Sequence, residues 1–106
     1  MERKDFFEGN AGLSWLYMPK RNELEMFGLV TQLLGAEQLK VFCEDGIERT
    51  VRIPGRMKKK IWIRQNDVIV VKLWEIEKTK GDAVWRYMPM QVEQLRRKHL
   101  LDKLPF

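Results

Sequence analysis

The stretch that decides the fold is EMFGLVTQLLGAEQLKVFCEDGIERTVRI, residues 25–53. Apolar and polar residues alternate through most of it, with the period of two that is typical of half-buried strands. The segments GAE and EDGI interrupt this pattern. Asp45-Gly46 is a strong hairpin signal because glycine tolerates the positive φ of a tight turn. The stretch therefore predicts three consecutive strands, at residues 25–34, 38–43 and 48–53.

The side chains of these strands divide into two faces. In the third strand, alternation predicts that Val51 and Ile53 point inward and that Thr50 and Arg52 point outward. A glycine inside the first strand, Gly28, is typical of a bulge or of a sharp bend such as a barrel corner. Cys43 ends the second strand and is interpreted as a small buried hydrophobe.

Two further strands follow. DVIVVKLW, residues 67–74, is rich in β-branched residues and long enough for a central position. A charged loop, EIEKTKGD, leads to a fifth strand, AVWRYM, residues 83–88. Five short strands between residues 23 and 88 predict a mainly β protein, a small five-stranded antiparallel barrel of the oligonucleotide-binding (OB) type. Strand count alone does not separate this barrel from an SH3-like one.

The two ends of the chain have other patterns. Pro89 suits the first turn of a helix, and residues 90–101 continue with an apolar stripe. This stripe consists of Val92, Leu95, His99 and Leu100. Residues 1–22 follow neither period and are interpreted as a flexible tail, or alternatively as a tail that docks its aromatic residues. We therefore expect a tail at 1–22, a barrel at 23–88, and a C-terminal helix with a short tail at 89–106.

Composition excludes several classes of protein. The chain has 106 residues and one cysteine, so it suits a single domain without an internal disulfide or a cysteine-based zinc site. The one histidine, His99, is interpreted as a packed residue of the helix rather than as a ligand, and no phosphate-binding glycine motif is present. Charges at the N-terminus argue against an export signal, and the longest apolar run, VIVV, is too short for a membrane span. We expect a cytoplasmic protein, neither enzyme nor membrane protein, without cofactor or metal.

Positive charge is concentrated in RIPGRMKKKIWIR, residues 52–64. The chain has 20 Lys+Arg and 15 Asp+Glu, a net charge of +5, and this segment alone holds six cations. They are Arg52, Arg56, Lys58, Lys59, Lys60 and Arg64. Such a run is usually a solvated face. Here no acid lies within the segment to offset the mutual repulsion of the cations, whereas a bound polyanion would offset it. Trp62 suits either the core or stacking on a base.

The predicted barrel places further cations beside this segment. In OB folds the face around strands two and three, with the adjoining loops, customarily binds nucleic acid. Lys40, Arg49 and Arg52 lie on these two strands, and the basic segment begins in the third strand. We therefore predict an RNA-binding face. Its candidate residues are Lys40, Arg49, Arg52, Arg56, Lys58, Lys59, Lys60, Trp62 and Arg64.

Residues 20–101 also carry a specific resemblance. The segments EMFGLVTQLLGAEQLKVFCEDG, RIPGRMKKKIWIR, DVIVVKLWEIE and DAVWRYMPMQVEQLRRKHLL occur in the order found in translation initiation factor 1A, which is related to bacterial initiation factor 1. Asn66 stands where that family commonly has glycine. The resemblance is to the archaeal type, since the basic N-terminal and acidic C-terminal tails of eukaryotic members have no counterpart here. The aromatic tail DFFEGNAGLSWLY matches no part of that family's pattern.

The resemblance implies a function as well as a fold. It implies an S1-like OB barrel that binds ribosomal RNA of the small subunit at the decoding (A) site, promotes recruitment of initiator methionyl-tRNA and helps to select the start codon. Initiation factor 1 and the GTPase factor 5B are the implied partners, and we expect a monomer. We also expect Leu101, Leu104 and Phe106 to contact either the barrel or factor 5B; simple capping of the last helix is the alternative. The rival functions are an RNA chaperone similar to cold-shock proteins and a barrel that binds an acidic protein.

Overall fold

The computed structural model describes residues 16–55 and 63–106. The described residues form a short 3-10 helix, five strands and a C-terminal α-helix, which confirms the predicted mainly β class. The bounds are Arg21–Glu23 for the 3-10 helix, Glu25–Gly35 for β1, Gln38–Cys43 for β2, Glu48–Arg52 for β3, Val68–Leu73 for β4, Lys80–Arg86 for β5 and Pro89–Arg97 for α1.

The five strands close into a barrel with the order β1-β2-β3-β5-β4. Four of the strand pairs are antiparallel, and β3 pairs with β5 in parallel. The prediction of an entirely antiparallel barrel is therefore wrong at this one seam. The parallel pair arises because the chain places β4 next to β1 before it returns in β5, which then runs in the same direction as β3.

Strand β5 begins earlier than predicted, at Lys80 rather than at residue 83. Its first residues pair across the parallel seam, Thr50 with Lys80 and Arg52 with Asp82. The sequence assigned these polar residues to a charged loop, because a strand that faces solvent at its start has no apolar alternation to reveal it.

Strand β1 is shared by two neighbours, and Gly28 lies where they overlap. Gly28 pairs with Cys43 of β2 and with Ile69 of β4. A Cβ atom at this position would lie 2.5 Å from Cγ1 of Val41 and 3.3 Å from Cγ2 of Val71. Glycine is favoured here because a Cβ atom would have to displace these side chains of the two neighbouring strands. The register shifts of β1 come later, after Val30 and after Leu33.

The apolar residues divide between the barrel interior and a second cluster on its outer surface. Strand β4 serves both: Ile69 and Val71 face the interior, whereas Val68 and Val70 face the outer cluster. This burial of both faces explains why the sequence of β4 contains the uninterrupted apolar run VIVV. Cys43 lies in the interior cluster with no exposed surface, as predicted.

The C-terminal segment packs on the outer cluster. Leu95 of α1, together with Leu101 and Leu104, is buried there, which confirms the predicted contact with the barrel for these two tail residues. Phe106 differs, since it is 56% exposed and its ring lies 4.9 Å from the guanidinium carbon of Arg96.

The helix ends before the predicted boundary at residue 101. The N–H of Leu100 donates to the carbonyl of Leu95 at 3.1 Å, and the N–H of His99 donates to that of Arg96 at 3.0 Å. These two bonds form a Schellman motif, which places His99 in the left-handed region at φ 61°. The prediction of a packed histidine is wrong: the side chain is 81% exposed and lies 3.3 Å from the carboxylate of Asp102.

The prediction of a tail that extends to residue 22 is wrong from residue 16 onward. Leu16 and Tyr17 are buried in the outer cluster. The Tyr17 hydroxyl donates to Glu25 Oε1 at 2.9 Å, its ring stacks on Trp85 at 5.0 Å, and its carbonyl accepts a hydrogen bond from the Tyr87 hydroxyl. The alternative of a tail that docks its aromatic residues therefore describes Tyr17, which packs on the barrel itself. Residues 1–15 lie outside the described part of the chain.

Candidate nucleic-acid interface

The outward face of β2 and β3 brings two of the predicted RNA-binding residues together. Lys40 pairs with Thr50, and Gln38 pairs with Arg52, across the two antiparallel strands. Lys40 is half-buried, whereas the Arg52 side chain is 58% exposed. Residues at such diagonal positions on one face lie about 7–8 Å apart. The two cations thus share one surface, on the side to which alternation assigned Arg52.

Asp82 of β5 fixes the orientation of Arg52. The guanidinium donates from Nε to Asp82 Oδ1 and from Nη2 to Oδ2, each at 3.1 Å. This two-point ion pair holds the planar group in one position. The register of the parallel seam, in which Arg52 pairs with Asp82, makes this contact possible.

The structure adds two residues that the sequence did not single out, Trp74 and Lys80. The Trp74 indole donates from Nε1 to Asp82 Oδ1 at 3.1 Å. The Arg52 guanidinium carbon lies 5.7 Å from the centre of the Trp74 ring, and Lys80 Nζ lies 5.8 Å from it. Both distances are within the range of cation–π attraction. Neither residue had a signal in the sequence, because only the strand pairing brings Arg52, Trp74 and Lys80 to one place.

Arg49 does not belong to this surface, and its prediction as an RNA-binding residue is corrected. Its side chain is 4% exposed and points the opposite way, on the same face of β3 as Val51. It donates to both carboxylate oxygens of Asp45, at 2.9 and 2.8 Å, and to the carbonyl of Lys78. The strand alternation that assigned Val51 inward assigns Arg49 inward too, so the signal was present in the sequence.

The pair formed by Arg49 and Asp45 changes the acidity of its surroundings. The hydrogen bond from Arg49 holds the pKa of the Asp45 carboxyl below its ordinary value, and the same bond raises the pKa of Arg49. Burial raises the pKa of the neighbouring Cys43 thiol above its ordinary value. Through these bonds Arg49 joins Asp45 of the β2–β3 turn to Lys78 of the loop that precedes β5.

Arg64 lies at the edge of the described region, before the turn that leads into β4. Its backbone N–H donates to Asp67 Oδ2 at 2.8 Å, and the same oxygen accepts from Arg86 Nε at 2.9 Å. Asn66 has φ 75°, a left-handed conformation that glycine and asparagine tolerate, so asparagine fits a turn where glycine is common. The remaining candidates, Arg56, Lys58, Lys59, Lys60 and Trp62, lie outside the described residues, and their role stays a prediction.

The described residues were compared with two other kinds of site, a metal site and a membrane-spanning helix. Within residues 16–55 and 63–106, no group of three or more His, Cys, Asp or Glu side chains is placed to hold a metal ion. Across the same ranges, no helix combines the length and the apolar character needed to cross a membrane.

Comparison with known proteins decides the family. The model of the family described as Translation initiation factor 1A / IF-1 matches residues 15–105. The chain belongs to this family. The match begins before the 3-10 helix, so it includes Leu16 and Tyr17 and covers more of the chain than the resemblance seen in the sequence. The family is a group of translation factors rather than enzymes, which agrees with the prediction that the chain catalyses no reaction.

Individual members of the family are similar over most of the chain. Translation initiation factor 1A of Archaeoglobus fulgidus is 55% identical over 84 residues, which cover 79% of this chain and 87% of that protein. Translation initiation factor 1A of Thermoplasma volcanium is 43% identical over 99 residues, covering 93% of this chain and 80% of that protein. Both are archaeal proteins, as the predicted archaeal type requires.

A solved structure confirms the fold. The solution structure of translation initiation factor 1 from the wolbachia endosymbiont strain TRS of Brugia malayi matches with a TM-score of 0.50. The match covers 67% of this chain and 85% of that chain at 24% identity. The predicted OB barrel is therefore confirmed.

Proposed function

We propose that this protein binds the small ribosomal subunit at the decoding (A) site through ribosomal RNA. There it promotes the recruitment of initiator methionyl-tRNA and the selection of the start codon. It acts in the cytoplasm as a monomer, together with initiation factor 1 and the GTPase factor 5B. The observation that carries this proposal is the shared outward position of Lys40 and Arg52 on β2 and β3, in a chain of the translation initiation factor 1A family.

The parts of the outer surface that the terminal segments cover support the β2–β3 face as the one that contacts RNA. Strand β4 is the strand farthest from the β2–β3 pair in the closed order of the barrel. The terminal segments pack on the β4 side, where Leu16, Leu101 and Leu104 cover Val68 and Val70. Within the described ranges, the outward residues of β2 and β3 are exposed or half-buried, so a large ligand can reach them.

The charge of the adjoining segment supports RNA as the ligand. Residues 52–64 hold six cations, against 14 Lys+Arg and 15 Asp+Glu in the rest of the chain. This segment begins at Arg52, the last residue of β3. A polyphosphate ligand would remove the mutual repulsion of these cations and release its own counterions.

Salt dependence of binding to purified small subunits tests the proposal. If about five phosphates are neutralised, the slope of log K against log salt is about −3.5 to −4.5, at ~0.7–0.9 for each phosphate. Replacing Lys58, Lys59 and Lys60 with alanine should flatten this slope by about 2–3. The matched control replaces three exposed cations of the C-terminal segment, Arg97, Lys98 and Lys103, and should leave the slope unchanged.

Competition separates RNA from the rival ligands. Free ribosomal RNA should displace the protein from small subunits, whereas an acidic peptide should not. Equal binding to subunits and to arbitrary single-stranded RNA would favour an RNA chaperone instead. If the triple lysine variant binds small subunits with wild-type affinity and wild-type slope, the basic segment is a solvated loop and the proposed function is wrong.

A further inference from the structure

A groove lies between α1 and the segment that follows it, and we call it the C-terminal groove. Its volume of about 430 Å³ is within the range of about 300–1,000 Å³ that is typical of binding pockets. Leu101 and Leu104 line it and are buried in the outer cluster, whereas Phe106, which also lines it, is 56% exposed. The other lining residues are charged or titratable: Glu93, Arg96, Arg97, His99 and Asp102.

The charges of the C-terminal groove are only partly balanced. Arg97 and His99 each lie next to a carboxylate of the same segment, at 3.7 and 3.3 Å. Arg96 instead places its guanidinium carbon 4.9 Å from the centre of the Phe106 ring, and it forms no ion pair within the part of the chain that the structure describes. Residues 96–103 contain four Lys/Arg and one Asp. The groove therefore suits an aromatic segment that carries negative charge.

The chain has a segment of this kind before its first described residue. DFFE, residues 5–8, places Phe6 and Phe7 between two acids. Residues 5–15 contain these two acids and no Lys or Arg, which gives them a net charge of −2. Because phenylalanine is among the residues that are most often buried in proteins, two adjacent ones favour a segment that packs on another surface.

The chain enters the described part of the structure beside the C-terminal groove. Leu16, the first described residue, is fully buried in the outer cluster, to which Leu101 and Leu104 of the groove also belong. Phe7 lies nine positions before Leu16, and nine extended residues span up to about 30 Å. A short tether of this kind gives an effective concentration in the millimolar range, so even a weak contact is populated.

We propose that residues 5–8 of the same chain occupy the C-terminal groove. The rings of Phe6 and Phe7 pack against Phe106, and an acid of the segment pairs with Arg96. The contact with the Phe106 ring already holds the Arg96 guanidinium in place, and this lowers the entropy cost of the new ion pair. The inference does not depend on ribosome binding, and it gives a position to an aromatic segment that the family's pattern does not include.

The lining of the groove favours this segment over a nucleic acid. Glu93 and Asp102 line the groove too, and they would repel phosphates at close range. The exposed ring of Phe106 offers an apolar contact that two phenylalanine side chains can use. A separate acidic peptide could make the same contacts, but it would need a millimolar concentration to compete with the tethered segment.

Spin labelling of the full chain tests the proposal. Cys43 has no exposed surface, so a cysteine introduced by Glu2→Cys is the one that a spin label reaches under native conditions. The label broadens the NMR signals of nearby amides. We expect it to broaden the amides of Arg96 and Phe106 much more than that of Ile76, a fully exposed residue of the loop between β4 and β5.

The decisive comparison is between labelled chains, because any segment tethered at Leu16 passes near the groove whether or not it docks. Phe6→Ser combined with Phe7→Ser keeps the tether and its charges and should lose most of the broadening at the groove. Arg96→Gln should also weaken the broadening. Lys78→Gln removes an exposed cation of the loop between β4 and β5, so it is the charge-matched control and should change nothing.

A second measurement adds a synthetic peptide of residues 1–12 to the full chain. The peptide should shift the Phe106 amide of the double serine variant at lower concentration than that of the wild type, whose own segment competes for the groove. We expect the apparent Kd for the two chains to differ by a factor on the order of 5 or more, because the competitor is tethered. A peptide with serine in place of Phe6 and Phe7 should shift neither chain.

Three outcomes would overturn the proposal. The first is equal broadening of the groove amides in the wild-type and double serine chains, and the second is equal affinity of the two chains for the peptide. The third concerns a second copy of the chain as the occupant. It is tested by mixing spin-labelled chain with isotope-labelled chain that has no spin label. If this mixture broadens the Phe106 amide as strongly as the single-chain sample does, the contact lies between copies. Thermal unfolding confirms that each variant is folded, and if Arg96→Gln is not, the serine variant decides.

Discussion

Replacement of Arg49 by leucine separates the structural interpretation of this residue from the RNA-binding one. The sequence alone placed Arg49 among the candidate RNA contacts, whereas the structure buries it against Asp45 and the carbonyl of Lys78. Leucine fills part of the same space but makes none of these hydrogen bonds. We expect Arg49→Leu to destabilise the fold and to leave the salt slope of small-subunit binding unchanged.

The size of the destabilisation follows from how deeply each partner is buried. Removing one partner of a fully buried ion pair costs about 3–5 kcal/mol, because the other charge is left without solvent. The Arg49 side chain is 4% exposed, but that of Asp45 is 33% exposed and can regain water. We therefore expect a loss of about 2–3 kcal/mol in the free energy of unfolding, out of a total of about 5–15 for a domain.

Urea unfolding over a range of pH provides the assay. Because Arg49 holds the pKa of folded Asp45 below the ordinary value of 3.8, the pair stabilises the fold fully above that value. This stabilisation is lost as the pH falls through the folded pKa. The difference between wild type and Arg49→Leu should therefore be constant from pH 7 to pH 5 and shrink below 3.8.

A matched variant controls for the loss of an arginine as such. Arg21 pairs with Glu44 at 3.0 Å, but its side chain is 56% exposed, so Arg21→Leu should cost under about 1 kcal/mol. The reasoning is refuted if Arg49→Leu costs no more than Arg21→Leu and also reduces the salt slope by ~0.7–0.9, the value for one lost phosphate contact.

Three further variants test other parts of the fold, each by urea or thermal unfolding. Gly28→Ala should lower the free energy of unfolding by about 1–3 kcal/mol, because its Cβ would lie 2.5 Å from Cγ1 of Val41. In a double-mutant cycle Val41→Ala should recover part of this loss. Strict additivity of the two substitutions would contradict the proposed clash. Tyr17→Phe should cost about 1–3 kcal/mol, since Glu25 would lose a buried hydrogen bond; an unchanged melting temperature would show that Tyr17 is not part of the folded unit. His99→Gly should add about 0.5–1 kcal/mol by relieving the left-handed backbone, while the exposed contact with Asp102 contributes little; a lower melting temperature would contradict this account.

The strands that alternate clearly were predictable from the sequence, and those whose position depends on distant pairing were not. Strand β2 was predicted with the bounds that the structure gives, because Leu39, Val41 and Cys43 alternate without interruption. Gly46, in the predicted hairpin turn, has φ 88° as such a turn requires. The start of β5 was missed because Lys80, Gly81 and Asp82 are held by the parallel seam with β3, which no local pattern encodes.

The helix end and the binding face also depend on contacts that local sequence patterns do not predict. The apolar stripe continued past Arg97, but the backbone bonds from Leu100 and His99 stop the helix there. Alternation assigned Arg52 correctly to the outward face, which Lys40 shares in the structure. Trp74 was not assigned to it, because its neighbours Arg52, Lys80 and Asp82 come from other strands and meet it only in the closed barrel.

The buried position of Cys43 turns the wild-type chain into a reporter of barrel opening. It is the single cysteine among 106 residues, lies in the interior cluster with no exposed surface, and has a thiol pKa raised by burial. A thiol-specific reagent can therefore react only after the interior cluster around Cys43 opens. When opening is in rapid equilibrium, the reaction rate under native conditions, divided by that of the unfolded chain, gives the free energy of this opening. The same rate measured on chain bound to small subunits would report how strongly binding closes the barrel, without any introduced label.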